Sequence, residues 1–161
     1  MMIKKERKLL FPVDGKAVAL NEVPDEAFSS GMLGIGFAVI PEAGTVYAPT
    51  SGEIINVADA RHAYSLLGED GVELMIHIGI DTVDLCGKGF VPMVAEGDRV
   101  KAGEVLARVD LTVLKNENLA THVVVLIPEP DTVDGFTPRL SKGLGGKSEA
   151  AIYRTVGLKK E

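Results

Sequence analysis

Short runs of β-prone apolar residues, separated by glycine and proline, recur along the whole chain. They predict strands over residues 17–20, 37–40, 44–47, 53–57, 72–80, 105–109, 123–127 and 151–156. Helix-like stretches are few and short; the best are residues 24–30 and residues 111–116, and Asp110 is a candidate N-cap for the second. This spacing predicts an all-β fold, a sandwich or a barrel-like structure, in which the few short helices are connectors.

The most informative stretch is the predicted strand over residues 72–80, because alternate side chains of a strand point to opposite faces. One face is wholly aliphatic and contains Val72, Leu74, Ile76, Ile78 and Ile80. The other face contains Glu73, Met75, His77, Gly79 and Asp81. His77 therefore points away from the main core, beside a glycine that leaves space for its ring. An ordinary histidine on a solvated sheet face is the alternative that this pattern leaves open.

His62 begins the strand-like segment that precedes the His77 strand. A hairpin that turns over residues 68–71 would bring the two imidazole rings together. Two histidines on neighbouring strands suggest a site, although an incidental pair fits the pattern equally well. The third histidine, His122, has no such partner in the sequence.

Length and composition indicate one domain over residues 1–161, with residues 1–9 as a flexible N-terminal tail. The net charge of −6 makes nucleic acid and anionic membranes unsuitable partners. The single cysteine, Cys86, excludes an internal disulfide and a multi-cysteine metal centre, and we expect it to be a small buried residue.

Apolar runs in the chain are short. Residues 123–127 form one of the longest, whereas a membrane-spanning helix needs about 20 residues. The basic residues near the N-terminus are followed by only three apolar residues before Pro12, so no signal-peptide pattern is present. The sequence therefore predicts a cytoplasmic protein that does not insert into the membrane.

Residues 71–83 match, position for position, the active-site signature of the glucose-family IIA proteins of the bacterial sugar phosphotransferase system. The resemblance covers most of the chain. Further matching segments are residues 10–16, 23–28, 31–38, 62–63, 87–90 and 96–100. The fold of the family, an antiparallel β-sandwich with Greek-key connections, agrees with the strand pattern.

The resemblance implies that His77 accepts a phosphoryl group from the histidine-containing phosphocarrier protein and passes it to a cysteine of a IIB domain. It implies that His62 stabilises the phosphoryl group and that the backbone carbonyl of Gly79 orients His77. Ala60 stands where the family usually has a threonine, so a hydroxyl beside His62 is lost.

A docking surface for protein partners is implied by the same resemblance. Its apolar members would be Phe28, Met32, Leu33, Met75 and Val83, and the acidic residues around them would be Asp25, Asp81 and Asp84. Regulatory binding to permeases or enzymes is implied as a second role.

Two other classes of function remain open at this stage. His62, His77 and a carboxylate such as Asp81 could form the three-ligand site of a zinc hydrolase. A non-catalytic interaction module is the other alternative. Phosphoryl transfer itself requires no metal or other cofactor, although His62 and His77 could hold Zn²⁺ if a partner supplied a further ligand.

Overall fold

The computed structural model describes residues 6–156, which form short antiparallel strands with few helical segments. The strands are β1 (Glu6–Leu10), β2 (Gly15–Ala19), β3 (Ile35–Pro41), β4 (Thr45–Tyr47), β5 (Gly52–Val57), β6 (Ala63–Gly68), β7 (Glu73–Ile78), β8 (Phe90–Pro92), β9 (Arg99–Val100), β10 (Val105–Val109), β11 (Val123–Ile127), β12 (Val133–Pro138), β13 (Lys142–Gly143) and β14 (Glu149–Thr155). The α-helices are α1 (Glu26–Ser29) and α2 (Leu111–Asn116), and 3₁₀ turns cover Leu20–Glu22, Thr82–Leu85 and Pro130–Thr132.

The largest sheet has the strand order β13-β2-β3-β11-β7-β6-β5-β9, and two smaller sheets have the orders β1-β14-β12 and β4-β10-β8. Strand β11 lies between β3 and β7, far from its neighbours in the sequence, as Greek-key connections require. Among residues 6–156 no sheet closes into a barrel. The structure therefore confirms the predicted antiparallel sandwich rather than its barrel-like variant.

The main core joins all three sheets. Leu9 of β1, Leu106 of β10 and Ile76 of β7 are fully buried members of one apolar cluster. The predicted aliphatic face of the His77 strand supplies Leu74, Ile76 and Ile78 to this cluster, in agreement with the alternation read from the sequence. Burial of this face fixes the register of β7, since a slip of one residue would turn His77 into the core.

A second apolar cluster covers the opposite face of the large sheet. Its buried members are Val18, Val23, Phe28, Ala38, Ile80, Val124 and Leu126. The sequence pattern assigned Ile80 to the aliphatic face of the main core, and that assignment is wrong. Strand β7 ends at Ile78, and Gly79 has φ +76, so the alternation stops before Ile80.

Both predicted helices are present and each begins after an aspartate cap. Helix α2 has the predicted bounds, and the Asp110 side chain accepts a hydrogen bond from Thr112 N at 3.0 Å. Helix α1 is shorter than predicted, and the Asp25 side chain accepts from Ala27 N at 2.9 Å. No helix in the described part of the chain is long and apolar enough to cross a membrane.

The N-terminal segment is ordered from residue 6, so the prediction of a flexible tail is wrong for residues 6–9. Strand β1 pairs antiparallel with β14, and Leu9 is completely buried in the main core. Pairing with a strand from the other end of the domain therefore orders this segment. Residues 1–5 of the predicted tail lie outside the described residues.

Cys86 is exposed, which corrects the expectation of a buried residue. It follows the 3₁₀ turn at Thr82–Leu85 and has a left-handed backbone with φ 53. The tight turn that ends there directs its thiol outward.

Candidate active site

The β6–β7 hairpin brings His62 and His77 together, as the sequence predicted. Ala63 pairs with His77 across the hairpin, and Ile78 N donates to His62 O at 2.7 Å. The ring centroids lie 4.9 Å apart in an edge-to-face arrangement with an interplanar angle of 88°. A single antiparallel pair of strands therefore fixes both imidazoles at one end of the hairpin.

Gly79 orients the His77 ring through its backbone carbonyl. His77 Nδ1–H donates to Gly79 O at 2.8 Å, two residues further along the chain. A Cβ atom at Gly79 would lie 2.5 Å from Thr82 Cγ2 and 2.8 Å from Leu114 Cδ2, so only glycine fits this turn. Because Nδ1 carries the proton in this hydrogen bond, the lone pair of the neutral ring is on Nε2.

Burial keeps the His77 ring neutral. Burial, with a smaller contribution from the His62 charge, lowers the pKa of His77 to about 4, although the Gly79 hydrogen bond, Asp25 and Asp81 act in the opposite direction. Burial also lowers the pKa of His62. Both imidazoles are therefore neutral at pH 7, which is the state in which a ring nitrogen can act as a nucleophile.

Phe28 of helix α1 packs against the His77 ring, with ring centroids 5.0 Å apart and an interplanar angle of 63°. Only 4% of Phe28 is exposed, so its main contact in this structure is with the His77 ring, and its place on the docking surface stays a prediction. Met75 is also only partly exposed, since it packs against the second apolar cluster. Phe28 reaches His77 because the segment between β2 and β3, which contains α1, covers this face of the sheet.

Other predicted docking residues are exposed. Met32, Leu33 and Val83 have exposed fractions of 75%, 39% and 53%. Asp81 and Asp84 are exposed as well, whereas Asp25 is half-buried and caps helix α1.

A pocket of about 410 Å³ adjoins the His62 ring. It is lined by Ala58, Asp59, Ala60, His62, Val83 and Cys86. The sequence analysis did not assign Asp59 or Cys86 to the site. The small side chains of Ala58 and Ala60 could have indicated this pocket, because two alanines shortly before a site histidine leave space beside its ring.

His122 has a structural connection to the site that the sequence did not indicate. Its backbone carbonyl accepts a hydrogen bond from Gly79 N at 2.8 Å, while its ring Nδ1 is buried and has no hydrogen-bond partner among residues 6–156. Burial lowers the pKa of His122. Its backbone, and not its ring, therefore holds the glycine that orients His77.

The three-ligand set of a zinc hydrolase is not assembled. Within residues 6–156 no group of three or more His, Cys, Asp or Glu side chains is placed to hold a metal ion. His62, His77 and Asp81 consequently lack the geometry that the hydrolase alternative requires.

Similarity to known proteins decides the family. Residues 7–133 match the family described as "phosphoenolpyruvate-dependent sugar phosphotransferase system, EIIA 1". The chain belongs to this family. It is thus a phosphotransferase component that carries a phosphoryl group in sugar uptake through a phosphohistidine intermediate, as the sequence resemblance implied.

Individual EIIA relatives agree with this assignment. The glucosamine-specific EIICBA component of Bacillus subtilis is 44% identical over 129 residues, which is 80% of this chain and 20% of that protein. The glucose-specific EIIA component of Borreliella burgdorferi is 40% identical over 128 residues, which is 80% of this chain and 68% of that protein. This chain therefore spans about a fifth of the first relative and about two thirds of the second.

A solved structure extends the similarity to three dimensions. Glucose permease IIA from Mycoplasma capricolum superimposes with a TM-score of 0.83 at 33% sequence identity. The superposition covers 92% of this chain and 96% of that one. This chain therefore shares its antiparallel sandwich fold with glucose permease IIA.

Proposed function

We propose that His77 Nε2 is the atom that accepts the phosphoryl group and that His62 stabilises the group once it is bound. The observation that carries the proposal is the hydrogen bond from His77 Nδ1 to Gly79 O, at 2.8 Å, beside the edge-to-face His62 ring. This bond leaves the Nε2 lone pair free for attack on phosphorus.

Acceptance forms the Nε2–P bond while the donor's own P–N bond breaks, and the donor imidazole leaves as a neutral ring once it is protonated. Onward transfer forms a P–S bond to a cysteine thiolate while the Nε2–P bond breaks. Neither step needs a general base in this chain, because phosphoryl transfer depends mainly on positioning and on charge stabilisation. A neutral His62 has one N–H, which can donate to a phosphoryl oxygen.

The proposed donor is the histidine-containing phosphocarrier protein, and the proposed acceptor is a IIB domain of a sugar permease. Both must reach His77. The exposed apolar side chains that we assign to docking are Val83, which lines the pocket beside His62, and Met32 and Leu33, which follow the helix that packs Phe28 against His77. The exposed carboxylates of Asp81 and Asp84 suit a basic rim on the partner. Regulated permeases or enzymes could use the same surface, and a cytoplasmic location is part of this proposal.

His62 and His77 also provide two neutral imidazoles that suit Zn²⁺ as ligands. A tetrahedral site needs further ligands, and a partner protein would have to supply them. The proposed transfer needs no such ion, because the histidine attacks a phosphoryl group that is already activated.

The test is phosphorylation of the purified protein with phosphoenolpyruvate and the two general carrier proteins of the system. We expect one acid-labile, base-stable phosphoryl group, which mass spectrometry should locate on His77. His77→Gln should abolish acceptance while the protein stays folded, and a chelator should leave acceptance unchanged. A label on His62, His122 or a serine would contradict the proposal, and so would a loss of acceptance that zinc restores.

A further inference from the structure

Thr82 is an unusual side chain for its position. Leaving tyrosines aside, His62 and Thr82 are the two buried polar side chains among the described residues, and Thr82 is completely inaccessible. A buried hydroxyl must find a partner, because an unpaired one is costly. Thr82 Oγ1 donates to the carbonyl of Ile78 at 2.6 Å.

This hydrogen bond spans the turn that contains Gly79. Ile78 is the last residue of β7, and Thr82 is the first residue of the following 3₁₀ turn. Between them, Gly79 has φ +76 and Asp81 has φ 62, so the chain reverses through two left-handed residues. The hydroxyl therefore joins the two ends of a conformation that an unrestrained chain rarely adopts.

Backbone contacts hold the same turn from the other side. Gly79 N donates to His122 O at 2.8 Å, and Ile80 N donates to Ala120 O at 3.0 Å. The Thr82 methyl group also packs against Gly79, since a Cβ placed there would lie 2.5 Å from Thr82 Cγ2. The direction of the Gly79 carbonyl is thus set by backbone on one side and by Thr82 on the other.

We propose that Thr82 is a positioning residue for phosphoryl transfer: its hydroxyl bond to Ile78 aims the Gly79 carbonyl at His77 Nδ1 and so selects the tautomer whose Nε2 is free. The inference rests on the proposed role of His77 as the nucleophile. Thr82 itself touches neither the phosphoryl group nor a partner, because it is buried beneath the turn. Its effect must therefore reach the reaction through Gly79.

Two substitutions separate the hydroxyl from the methyl group. Thr82→Val keeps the branched shape and removes the hydroxyl, whereas Thr82→Ser keeps the hydroxyl and removes the methyl group. Thr132→Val is a matched control, because Thr132 Oγ1 makes a similar bond to Glu129 O at 2.7 Å in a different 3₁₀ turn.

The first measurement is the tautomer of His77, read from the ¹⁵N chemical shifts of its ring in the full chain at pH 7. This measurement needs no donor protein, so it tests the inference separately from the proposed function. We expect the unaltered protein, Thr82→Ser and Thr132→Val to carry the proton on Nδ1. Thr82→Val should show a measurable fraction with the proton on Nε2.

The second measurement is phosphoryl acceptance as a function of donor concentration. For Thr82→Val we expect the rate at saturating donor to fall about tenfold, the scale of one lost hydrogen bond, with little change in the half-saturating concentration. An unchanged tautomer and rate in Thr82→Val would overturn the inference, as would a shifted tautomer in Thr82→Ser. If Thr82→Val does not fold, Thr82→Ala removes the same bond without overpacking, and its tautomer decides the question.

Discussion

At the scale of single residues, the site consists of two imidazoles whose local surroundings give them different properties. His77 has a fixed tautomer, because its Nδ1 donates to Gly79 O. Only 8% of His62 is exposed, and its Nδ1 has no hydrogen-bond partner within residues 6–156. The nucleophile is thus held by the backbone, and the neighbouring ring remains available for the phosphoryl group.

His62→Gln should separate the two half-reactions. Acceptance should survive, because His77 and its hydrogen bond to Gly79 remain. Onward transfer to a IIB domain should slow by about a hundredfold, because a preorganised donor is most valuable in the transition state. Ala60 lines the same pocket and offers no hydroxyl to compensate. Rapid-quench measurement of both steps would check this, and an unchanged onward rate would remove His62 from the mechanism.

Protonation of the buried histidines should make stability depend on pH. The pKa values of His62, His77 and His122 are lowered in the folded protein, so the unfolded chain binds more protons below the ordinary value of 6.5. The free energy of unfolding should therefore fall as the pH drops below about 6.5. For His77 the loss continues down to its folded pKa of about 4.

Between pH 7 and pH 5, His77 alone should contribute a loss of about 2 kcal/mol. Urea unfolding of the unaltered protein and of His77→Gln at both pH values measures this contribution. The variant should lose less stability than the unaltered protein by that amount. Equal losses in the two proteins would show that His77 titrates normally in the folded state.

At the scale of elements, the end of β7 shapes the site and the pairing of β1 completes the core. Strand β7 stops at Ile78, so Gly79 is free to turn its carbonyl back toward His77. Strand β1 is an edge strand of its three-stranded sheet, where it pairs with β14, and its Leu9 packs in the main core. Helix α1 is only four residues long, yet it presents Phe28 to the His77 ring.

Leu9→Ala tests the contribution of β1 to the core. Because Leu9 is completely buried, the substitution should lower the free energy of unfolding by about 2–5 kcal/mol. Lys8→Ala is the matched control, since the Lys8 side chain is 68% exposed and its ion pair with Glu149 spans 4.0 Å. That control should change stability by less than about 0.5 kcal/mol. Similar urea midpoints for the two variants would show that β1 is dispensable.

At the scale of the whole molecule, the large sheet is covered by apolar clusters on both faces, and His77 lies at the margin of the smaller cluster. The exposed apolar side chains proposed for docking are Met32, Leu33 and Val83. Leu144 has an exposed fraction of 55%, close to that of Val83, but it follows β13, which is four strands from β7 in the sheet. A substitution at Leu144 can therefore serve as a control for a substitution on the proposed docking surface.

Met32→Asp should weaken docking of the phosphoryl donor. The substitution places a charge where an apolar contact is proposed, so the half-saturating donor concentration should rise about tenfold. The rate at saturation should change little, because His77 and Gly79 are untouched. Leu144→Asp should behave like the unaltered protein. Equal effects of the two substitutions on phosphoryl acceptance would place the docking surface elsewhere.

The sequence alone determined the all-β class, eight of the strands, the separation of His77 from the main core and the approach of His62 through a hairpin. It did not predict β1, β8, β9, β12 or β13. These features depend on alternation and on turns, which operate over a few neighbouring residues. The same local rules placed α2 between its observed bounds and located its Asp110 cap. The signature over residues 71–83 then indicated the family that the comparisons established.

Only the tertiary structure decided which surfaces the remaining residues occupy. Phe28 is buried because a segment distant in sequence from β7 folds over the His77 face, and Leu9 is buried because β1 finds β14 at the opposite end of the described chain. Ile80 departed from expectation because left-handed Gly79 interrupts the strand pattern before it, and Cys86 because it ends a 3₁₀ turn at the surface. The positioning role proposed for Thr82 depends on its contacts with Ile78 and Gly79, which only the folded chain brings together. Local sequence rules cannot supply such contacts, because their partners are chosen by the packing of the whole chain.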